Sequence, residues 1–270
     1  MPDIERTAQA ARTRLEHVSR RGQELADAIA AWSATEPIGI KIAIAEDRLS
    51  WEGFWRVSAP PFEQWALIFG DAVHHLRAML DNLVHYIAEQ EGATPQQLGA
   101  VQFPIVSDPA KWANNRSRIE MLPERVRATI EAVQPFQRPE PERASDGLAI
   151  LAGLNNADKH RIILVSLIQP QTIGHSFSVE FEGGGPTDAG PPRTEFFVDM
   201  IDGAPAIRHD TSPDRIADVK GGGEFGVQVV VVDDAGNRWG VTSGLAAMAT
   251  YVPTVLDIVL GAWRAGEAGG

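Results

Sequence analysis

The sequence predicts an α+β protein, in which a helical domain with an inserted β-hairpin is joined to a smaller antiparallel β unit and a C-terminal helix. Three observations predict this class. Apolar residues follow a helical spacing from Asp3 to Trp32, a period of two begins at Ile38, and short β-rich runs separated by Gly, Pro and Asp extend from Gln171 to Val241. Helices and strands thus occupy separate regions of the chain.

The first element is a long helix, predicted within residues 1–35. Apolar or small residues recur at alternating spacings of four and three, the 3.5-residue period of a bundle or coiled-coil seam. The seam consists of Ile4, Ala8, Ala11, Leu15, Val18, Gly22, Leu25, Ile29 and Trp32. Two interpretations remain open for this seam: packing against the protein's own helices, or a homo-oligomer formed through this helix.

A β-hairpin is predicted next, within residues 36–60. In IGIKIAIAED the isoleucines alternate with smaller or polar residues, which is typical of a strand with one buried face. The run WEGFWRVSA follows a short polar turn and supplies the returning strand. Pro60 and Pro61 end the hairpin and lead into the next helix.

The rest of the chain divides by composition into four segments. We predict a helical region that carries the polar motifs over 61–169, an antiparallel β unit over 170–242, a C-terminal helix over 243–264 and a disordered tail over 265–270. The apolar run TYVPTVLDIVLGAW is shorter than a bilayer requires and contains Asp257, so no membrane span is expected.

Composition restricts the classes of function. The chain has 24 Lys and Arg against 36 Asp and Glu, a formal net charge of −12, which makes nucleic acid and anionic membranes unlikely partners. Cysteine is absent, which excludes disulfides, thiolate metal sites and thiol nucleophiles. The first residues lack the apolar segment of a secretory signal. We expect a soluble cytoplasmic protein with no cofactor.

The run GDAVHHLRAMLDNLVHY, from Gly70 to Tyr86, places three histidines, an arginine and two aspartates on one predicted helix. On a helical wheel the apolar residues form one side and the polar residues the other, with His75 at the edge. From Gly70 to Ala88 there is no Lys, Glu or Gln, the usual residues of a solvated helix face. A solvated face, a buried polar network and a functional site all remain open for this motif.

A second polar motif, NNADKHR, spans residues 155–161 between two apolar runs. Basic residues at a helix C-terminus interact favourably with the helix dipole, which is the simplest explanation. If the motif faces the preceding one, the two form a single constellation. The candidate catalytic residues are then His74, Arg77, Asp81 and His160. The candidate substrate-binding residues are Asp71, Asp158, Lys159 and Arg161.

Both motifs, with FPI and QPF between them, resemble an uncharacterised bacterial protein family with the pattern GDxxHNLRxxLDH, FPI, QPY and LNxxDKHR. The resemblance covers roughly Pro37 to Val165 and implies no particular activity. The chain differs at His75, where the family pattern has Asn, and at Asn82, where it has His. Arg-x4-His on a helix also resembles the RNase motif of HEPN-type proteins, but Asn82 replaces that histidine here.

Two functions are compatible with these residues. The first is a hydrolase-type enzyme acting on a phosphoester or RNA, in which a histidine supplies acid–base chemistry, an aspartate orients it and basic residues hold a small anionic ligand. The second is a non-catalytic binding or oligomeric protein in which the cluster is a buried polar network. A metal site would draw on His74, Asp81, His85 and His160, but no HExxH-type pair is present and no metal is predicted.

Overall fold

The computed structural model describes residues 2–160, 165–185, 193–197, 200–233 and 236–267. Its helices, antiparallel sheets and C-terminal helix confirm the predicted α+β class. Contacts divide the chain into two compact units. The first comprises Met1–Asp27, Glu63–Ser166 and Val231–Gly270, and the second comprises Ala28–Phe62 and Leu167–Val230.

The first unit is built mainly from helices. In chain order the helices are α1 (Pro2–Ser33), α2 (Phe62–Gln90), α3 (Pro95–Ala100), α4 (Trp112–Arg116), α5 (Glu124–Ala132), α6 (Gly147–His160) and α7 (Val241–Glu267). Short 3-10 turns cover Pro109–Lys111, Ser117–Ile119, Pro135–Gln137 and Glu140–Ser145. Pro123 immediately precedes α5 and Thr94 caps α3 through a capping box, so local sequence signals set both helix starts.

The apolar side of α2 contributes much of the core of the first unit. Phe69, Val73, Leu76, Leu80 and Ile87 have no exposed surface. Each such side chain stabilises the fold by about 1.5–3 kcal/mol relative to an exposed position. This burial fixes the rotation of α2 about its axis and therefore decides which polar side chains it presents to α1.

Part of the α1 seam packs inside the first unit. Val18 and Leu25 are buried, and a Cβ atom added to Gly22 would lie 3.4 Å from Cδ2 of Leu245 on α7. The absence of a side chain at Gly22 therefore suits the close approach of α7. These contacts correspond to the first of the two interpretations of the seam, and a homo-oligomer stays a prediction.

Helix α7 is longer than the apolar run suggested. The segment Val241–Gly266 is long and apolar enough to cross a membrane, judged by length and composition only, which corrects the expectation that this region is too short. The helix also supplies core residues of the first unit, including Leu245, Met248 and Val259. It continues through Pro253 to Glu267, beyond the predicted end at residue 264.

The second unit is dominated by strands. In chain order the strands of the described residues are β1 (Ile38–Ile44), β2 (Ser50–Val57), β3 (Val165–Phe181), β4 (Arg193–Phe196), β5 (Pro205–Asp210), β6 (Ile216–Val232) and β7 (Arg238–Gly240). Of these, β7 lies in the first unit. The predicted hairpin is present, because β1 and β2 pair antiparallel with Ile38 opposite Val57. One sheet has the order β1-β2-β5-β4 and the other β3-β6-β7. The hairpin thus shares a sheet with later strands that the sequence analysis placed in a separate segment.

Two tryptophans of β2 occupy the cores of the second unit. Trp51 is packed with Ile207 and Ile216, and its ring centroid lies 4.9 Å from that of Phe177. Trp55 belongs to a neighbouring cluster that contains Ile38 and Ala206. Because both rings are buried, they serve the packing of the sheet rather than the stacking of an exposed base.

Candidate functional site

Helices α1 and α2 bring two histidines to one aspartate within the first unit. Nε2 of His17 lies 2.8 Å from Oδ2 of Asp71, and Nε2 of His75 lies 3.5 Å from Oδ1 of the same carboxylate. The two imidazole centroids are 4.4 Å apart. All three side chains are partly exposed, so the group is accessible to solvent.

Three arginines of α1 surround this group. NH1 of Arg14 lies 2.9 Å from Nδ1 of His75, and NH2 of Arg20 lies 2.9 Å from Nδ1 of His17. Nε of Arg21 forms an ion pair with Oδ2 of Asp71 at 2.9 Å. We call this set the α1–α2 cluster, which consists of Arg14, His17, Arg20, Arg21, Asp71 and His75.

The arginine contacts determine the tautomers of both imidazoles. A guanidinium can only donate, so the Nδ1 atoms of His17 and His75 must accept. A neutral ring then carries its proton on Nε2, where it faces Asp71. Asp71 therefore accepts a hydrogen bond from His17 and lies 3.5 Å from Nε2 of His75. The arginines cover the lone pairs that would act as bases.

The distances alone would allow a metal ion in the α1–α2 cluster. Single ligand atoms of His17, Asp71 and His75 all lie within 4.8 Å of one another. A histidine that binds a metal through Nε2 donates its Nδ1 proton to an acceptor, commonly a carboxylate or carbonyl. Here Arg14 and Arg20 donate to these Nδ1 atoms instead. The hydrogen bonds therefore favour a protonated Nε2 over a metal-bound one.

The surroundings shift two pKa values of the α1–α2 cluster downward. Partial burial by itself raises the pKa of Asp71, but the hydrogen bond from His17 and the charges of the nearby basic groups outweigh it and hold that pKa below its usual value. Burial lowers the pKa of His75, helped by His17 and Arg14, against the opposing charge of Asp71. Near neutral pH, an ionised Asp71 thus faces a neutral His75.

These shifts predict a loss of stability on acidification. Because the pKa of folded His75 lies below the ordinary 6.5, the unfolded chain binds more protons just below that pH, and the free energy of unfolding falls as pH decreases. The contribution of Asp71 is lost at lower pH, as its own pKa in the folded protein, below 3.8, is crossed.

Urea denaturation curves recorded at several pH values between about pH 7 and pH 5 would measure the loss of stability that His75 causes. The variant His75→Gln should lack this component of the pH dependence. His74→Gln, which changes the adjacent exposed histidine, should retain it. An unchanged pH dependence in His75→Gln would contradict the assignment.

Arg77 and Asp81 form a separate network one to two turns further along α2. Nε and NH2 of Arg77 donate to the two carboxylate oxygens of Asp81 at 3.1 and 2.8 Å. NH2 also donates to the carbonyl of Phe103 at 2.6 Å, and the amide of Phe103 donates to Asp81 at 3.0 Å. In this bidentate pair Arg77 is only 7% exposed and Asp81 is partly exposed, and the pair fixes the segment at Phe103.

A buried glutamine holds the other end of the same extended segment. Oε1 of Gln134 accepts from the amide of Val106 at 2.9 Å, and its Nε2 donates to the carbonyl of Ile130 at 2.9 Å. The amide of Phe136 donates to the carbonyl of Val106. The sequence runs FPI and QPF are thus physically connected to each other, and FPI is connected to the Arg77–Asp81 pair.

The structure separates the residues that the sequence analysis grouped together. Asp71 belongs to the α1–α2 cluster, whereas Arg77 and Asp81 belong to the network at Phe103. His74 is exposed, and its ring centroid lies 5.9 Å from that of His75. The side chains of Asp158, Lys159 and His160, and the whole of Arg161, lie outside the described residues. The convergence of the two polar motifs therefore stays a prediction.

The residues that α1 contributes to the α1–α2 cluster were not among the predicted site residues. Arg14, His17 and Arg21 follow one another at spacings of three and four, which places them on one helix face. Two of these residues contact Asp71 and the third contacts His75. This spacing is the sequence signal for a polar face on α1. It lies on the same helix as the apolar seam, which dominates the pattern of that segment.

A groove lies beside the α1–α2 cluster, within the first unit. It has a volume of about 620 Å³ and is lined by α1, α2 and α7. Its apolar lining includes Ala11, Leu15, Met79, Leu83, Leu256 and Leu260. Arg14 also lines this α1–α2–α7 groove, and Asn82, in the amide orientation that satisfies both of its polar atoms, accepts from Arg14 at 3.3 Å. Arg14 therefore connects the groove to His75.

A second ionic group lies at the start of α6. Nε of Arg138 and the hydroxyl of Tyr251 each donate to Oδ2 of Asp146 at 3.1 Å, and Oδ1 accepts from the amide of Leu148 at 2.9 Å. A Cβ atom on Gly147 would lie 2.5 Å from the Tyr251 ring, so the glycine permits this approach. Asp146 thus acts as a helix cap and an ion-pair partner.

Comparison with protein-family models, with characterised proteins and with solved structures gives no significant match. The chemistry of the residues themselves therefore carries the functional interpretation.

Proposed function

We propose that the protein is a hydrolase-type enzyme that acts on a small phosphoester at the α1–α2 cluster. His75 is the acid–base residue, Asp71 orients it and Arg14 binds the phosphate group. The observation that carries the proposal is the position of Arg14, which lines the α1–α2–α7 groove and donates to Nδ1 of His75 at 2.9 Å. A ligand in the groove therefore meets an arginine that controls access to an oriented imidazole.

The contacts suggest a sequence of steps. A phosphate group in the groove pairs with Arg14 and draws the guanidinium away from Nδ1 of His75. Nδ1 then accepts a proton from a water molecule as the water oxygen attacks phosphorus. The bond between phosphorus and the ester oxygen breaks on the opposite side of phosphorus, where the departing alkoxide takes a proton from solvent, and His75 returns its own proton to solvent. Asp71 stabilises the imidazolium that exists between the two transfers.

The electrostatics support this assignment of roles. The lowered pKa of His75 keeps its imidazole neutral at physiological pH, as a general base requires. The lowered pKa of Asp71 keeps its carboxylate ionised, as an orienting group requires. Asp71 thus receives an orienting role instead of the substrate-binding role expected from sequence.

A small phosphoester is favoured over RNA. The α1–α2–α7 groove has the volume of a small-molecule site, about 620 Å³. The net charge of −12 opposes binding of a polyanion. The cysteine-free composition supports a cytoplasmic location for the enzyme.

Hydrolysis of p-nitrophenyl phosphate tests the proposal. We expect His75→Gln to lower kcat/KM by about a hundredfold to ten-thousandfold, the usual contribution of a general acid–base residue. His74→Gln is the matched control, because it makes the same substitution one residue earlier on an exposed position. Equal activities of the two variants, or no turnover by the wild-type protein on any phosphoester including RNA, would overturn the proposal.

The non-catalytic alternative also has an observation in its favour. Arg77 and Asp81 form hydrogen bonds with each other and with the backbone of Phe103. These two polar residues of α2 therefore stabilise the fold. If the α1–α2 cluster serves the same purpose, His75→Gln lowers the melting temperature and no phosphoester is turned over. Circular dichroism melts recorded beside the activity assay distinguish the two functions.

A further inference from the structure

We infer that the substrate is a phosphate monoester of an apolar alcohol, whose hydrocarbon part lies in the α1–α2–α7 groove while its phosphate contacts Arg14. This inference rests on the proposed function, because it names the substrate class of the same site. It follows from the lining of the groove, from the position of its charged groups and from a comparison with a second cavity of the first unit.

The lining of the groove is mainly apolar. Ala11 and Leu15 come from α1, Leu83 from α2, and Leu256 and Leu260 from α7. A hydrocarbon chain transferred from water to such a surface gains free energy in proportion to its buried area. A sugar or a peptide of similar size would lose hydrogen bonds to water wherever it lay against these apolar side chains.

The charges around the groove favour an anion. Arg12, Arg14 and Arg264 line it against the acidic residues Glu89 and Asp257. This excess of positive charge contrasts with the net charge of −12 of the whole chain. Of these residues, Arg14 contacts both His75 and Asn82, so it is the arginine that places a bound phosphate group beside the imidazole.

A second cavity of the first unit has the opposite charge balance among its described lining residues. It has a volume of about 960 Å³ and is lined by Arg138 together with the acidic residues Glu142 and Asp146. Its only lining arginine already donates to Asp146 and Tyr251. An anionic substrate is therefore assigned to the α1–α2–α7 groove.

Calorimetric titration with inorganic phosphate, ethyl phosphate, butyl phosphate and hexyl phosphate tests this inference on the wild-type protein. We expect the affinity to rise about fourfold for each added methylene group, the factor that corresponds to 0.8 kcal/mol per buried methylene. All the esters are used as monomers, below the concentrations at which they form micelles. An affinity that does not increase with chain length would overturn the inference.

Two variants separate the parts of the site. Ala11→Leu fills the groove and should abolish the increase of affinity with chain length, whereas Ala30→Leu, the same substitution at an exposed position of α1, should not. Arg14→Gln should weaken binding of every phosphate by about tenfold and keep the dependence on chain length. If Ala11→Leu and Ala30→Leu behave alike, the hydrocarbon part does not lie in the groove.

The same titrations distinguish this inference from the proposed function. A dependence on chain length without hydrolysis of any ester would leave the groove as a binding site and overturn the hydrolase. Hydrolysis of p-nitrophenyl phosphate without a dependence on alkyl chain length would keep the hydrolase and overturn the substrate class. Binding to vesicles that contain phosphatidic acid, with no binding of monomeric hexyl phosphate, would assign the phosphate to a lipid surface and also overturn the inference.

Discussion

Replacing Arg77 by leucine is expected to lower the free energy of unfolding by about 3 kcal/mol, the cost of removing one partner of a buried ion pair. The arginine is 7% exposed and donates to Asp81 and to the carbonyl of Phe103. Leucine removes the guanidinium from the carboxylate and from the carbonyl, while Asp81 keeps the amide of Phe103 as a donor. That remaining bond and the partial exposure of Asp81 keep the cost at the lower end of the usual range.

Urea denaturation would measure this loss. Arg118→Leu is a suitable control, because Arg118 is exposed and donates to the side chain of Gln102, next to Phe103 in the sequence. The control should cost less than about 1 kcal/mol. A loss below about 1 kcal/mol for Arg77→Leu would show that the network at Phe103 contributes little to stability.

A second large effect is expected at Gly53, in the middle of β2. A Cβ atom at this position would lie 2.6 Å from Cγ2 of Ile207 and 2.6 Å from Cγ2 of Ile40. Both atoms are attached directly to the branch point of a stiff side chain, so neither moves without a shift of its strand. Gly53→Ala should therefore lower the free energy of unfolding by about 2 kcal/mol.

Hydrogen exchange would locate the effect. Amides of β1, β2 and β5 should exchange faster in Gly53→Ala, because the overlap lies in the sheet that these strands form. Gly183→Ala is the matched control in the same unit, since no atom lies within 4 Å of its added Cβ. Similar exchange in both variants would contradict the steric explanation.

Local elements of this fold were predictable because local rules determine them. The seam of α1 and the alternation in IGIKIAIAED each bury one side of the chain, so period alone distinguishes helix from strand. Pro123 immediately precedes α5, which is likewise a local signal of a helix start. The pairing of β2 with β5 was not predictable in the same way, because strands far apart in sequence carry no mark of their partner.

The candidate site was likewise predictable only in the part that a single helix determines. The sequence identified α2 as the polar helix and selected Asp71, but it placed His75 at the edge of the wheel. In the structure, His75 contacts Arg14 of α1, while His74 remains exposed. A wheel describes one helix, and the position of a neighbouring helix decides which of two adjacent histidines receives a partner.

The sequence by itself determined the α+β class, the main helices and the hairpin, because hydrophobic period, proline positions and capping residues act over a few neighbouring positions. Only the tertiary structure decided how the polar residues of α2 are used. Packing of α1 against α2 brings Arg14, His17 and Arg21 of α1 to Asp71 and His75. Arg77 is buried beside the segment at Phe103 and pairs with Asp81, so these two residues belong to the network at Phe103 and not to the α1–α2 cluster. The physical reason is that charged groups are stabilised by partners distant in sequence, and packing sets those distances.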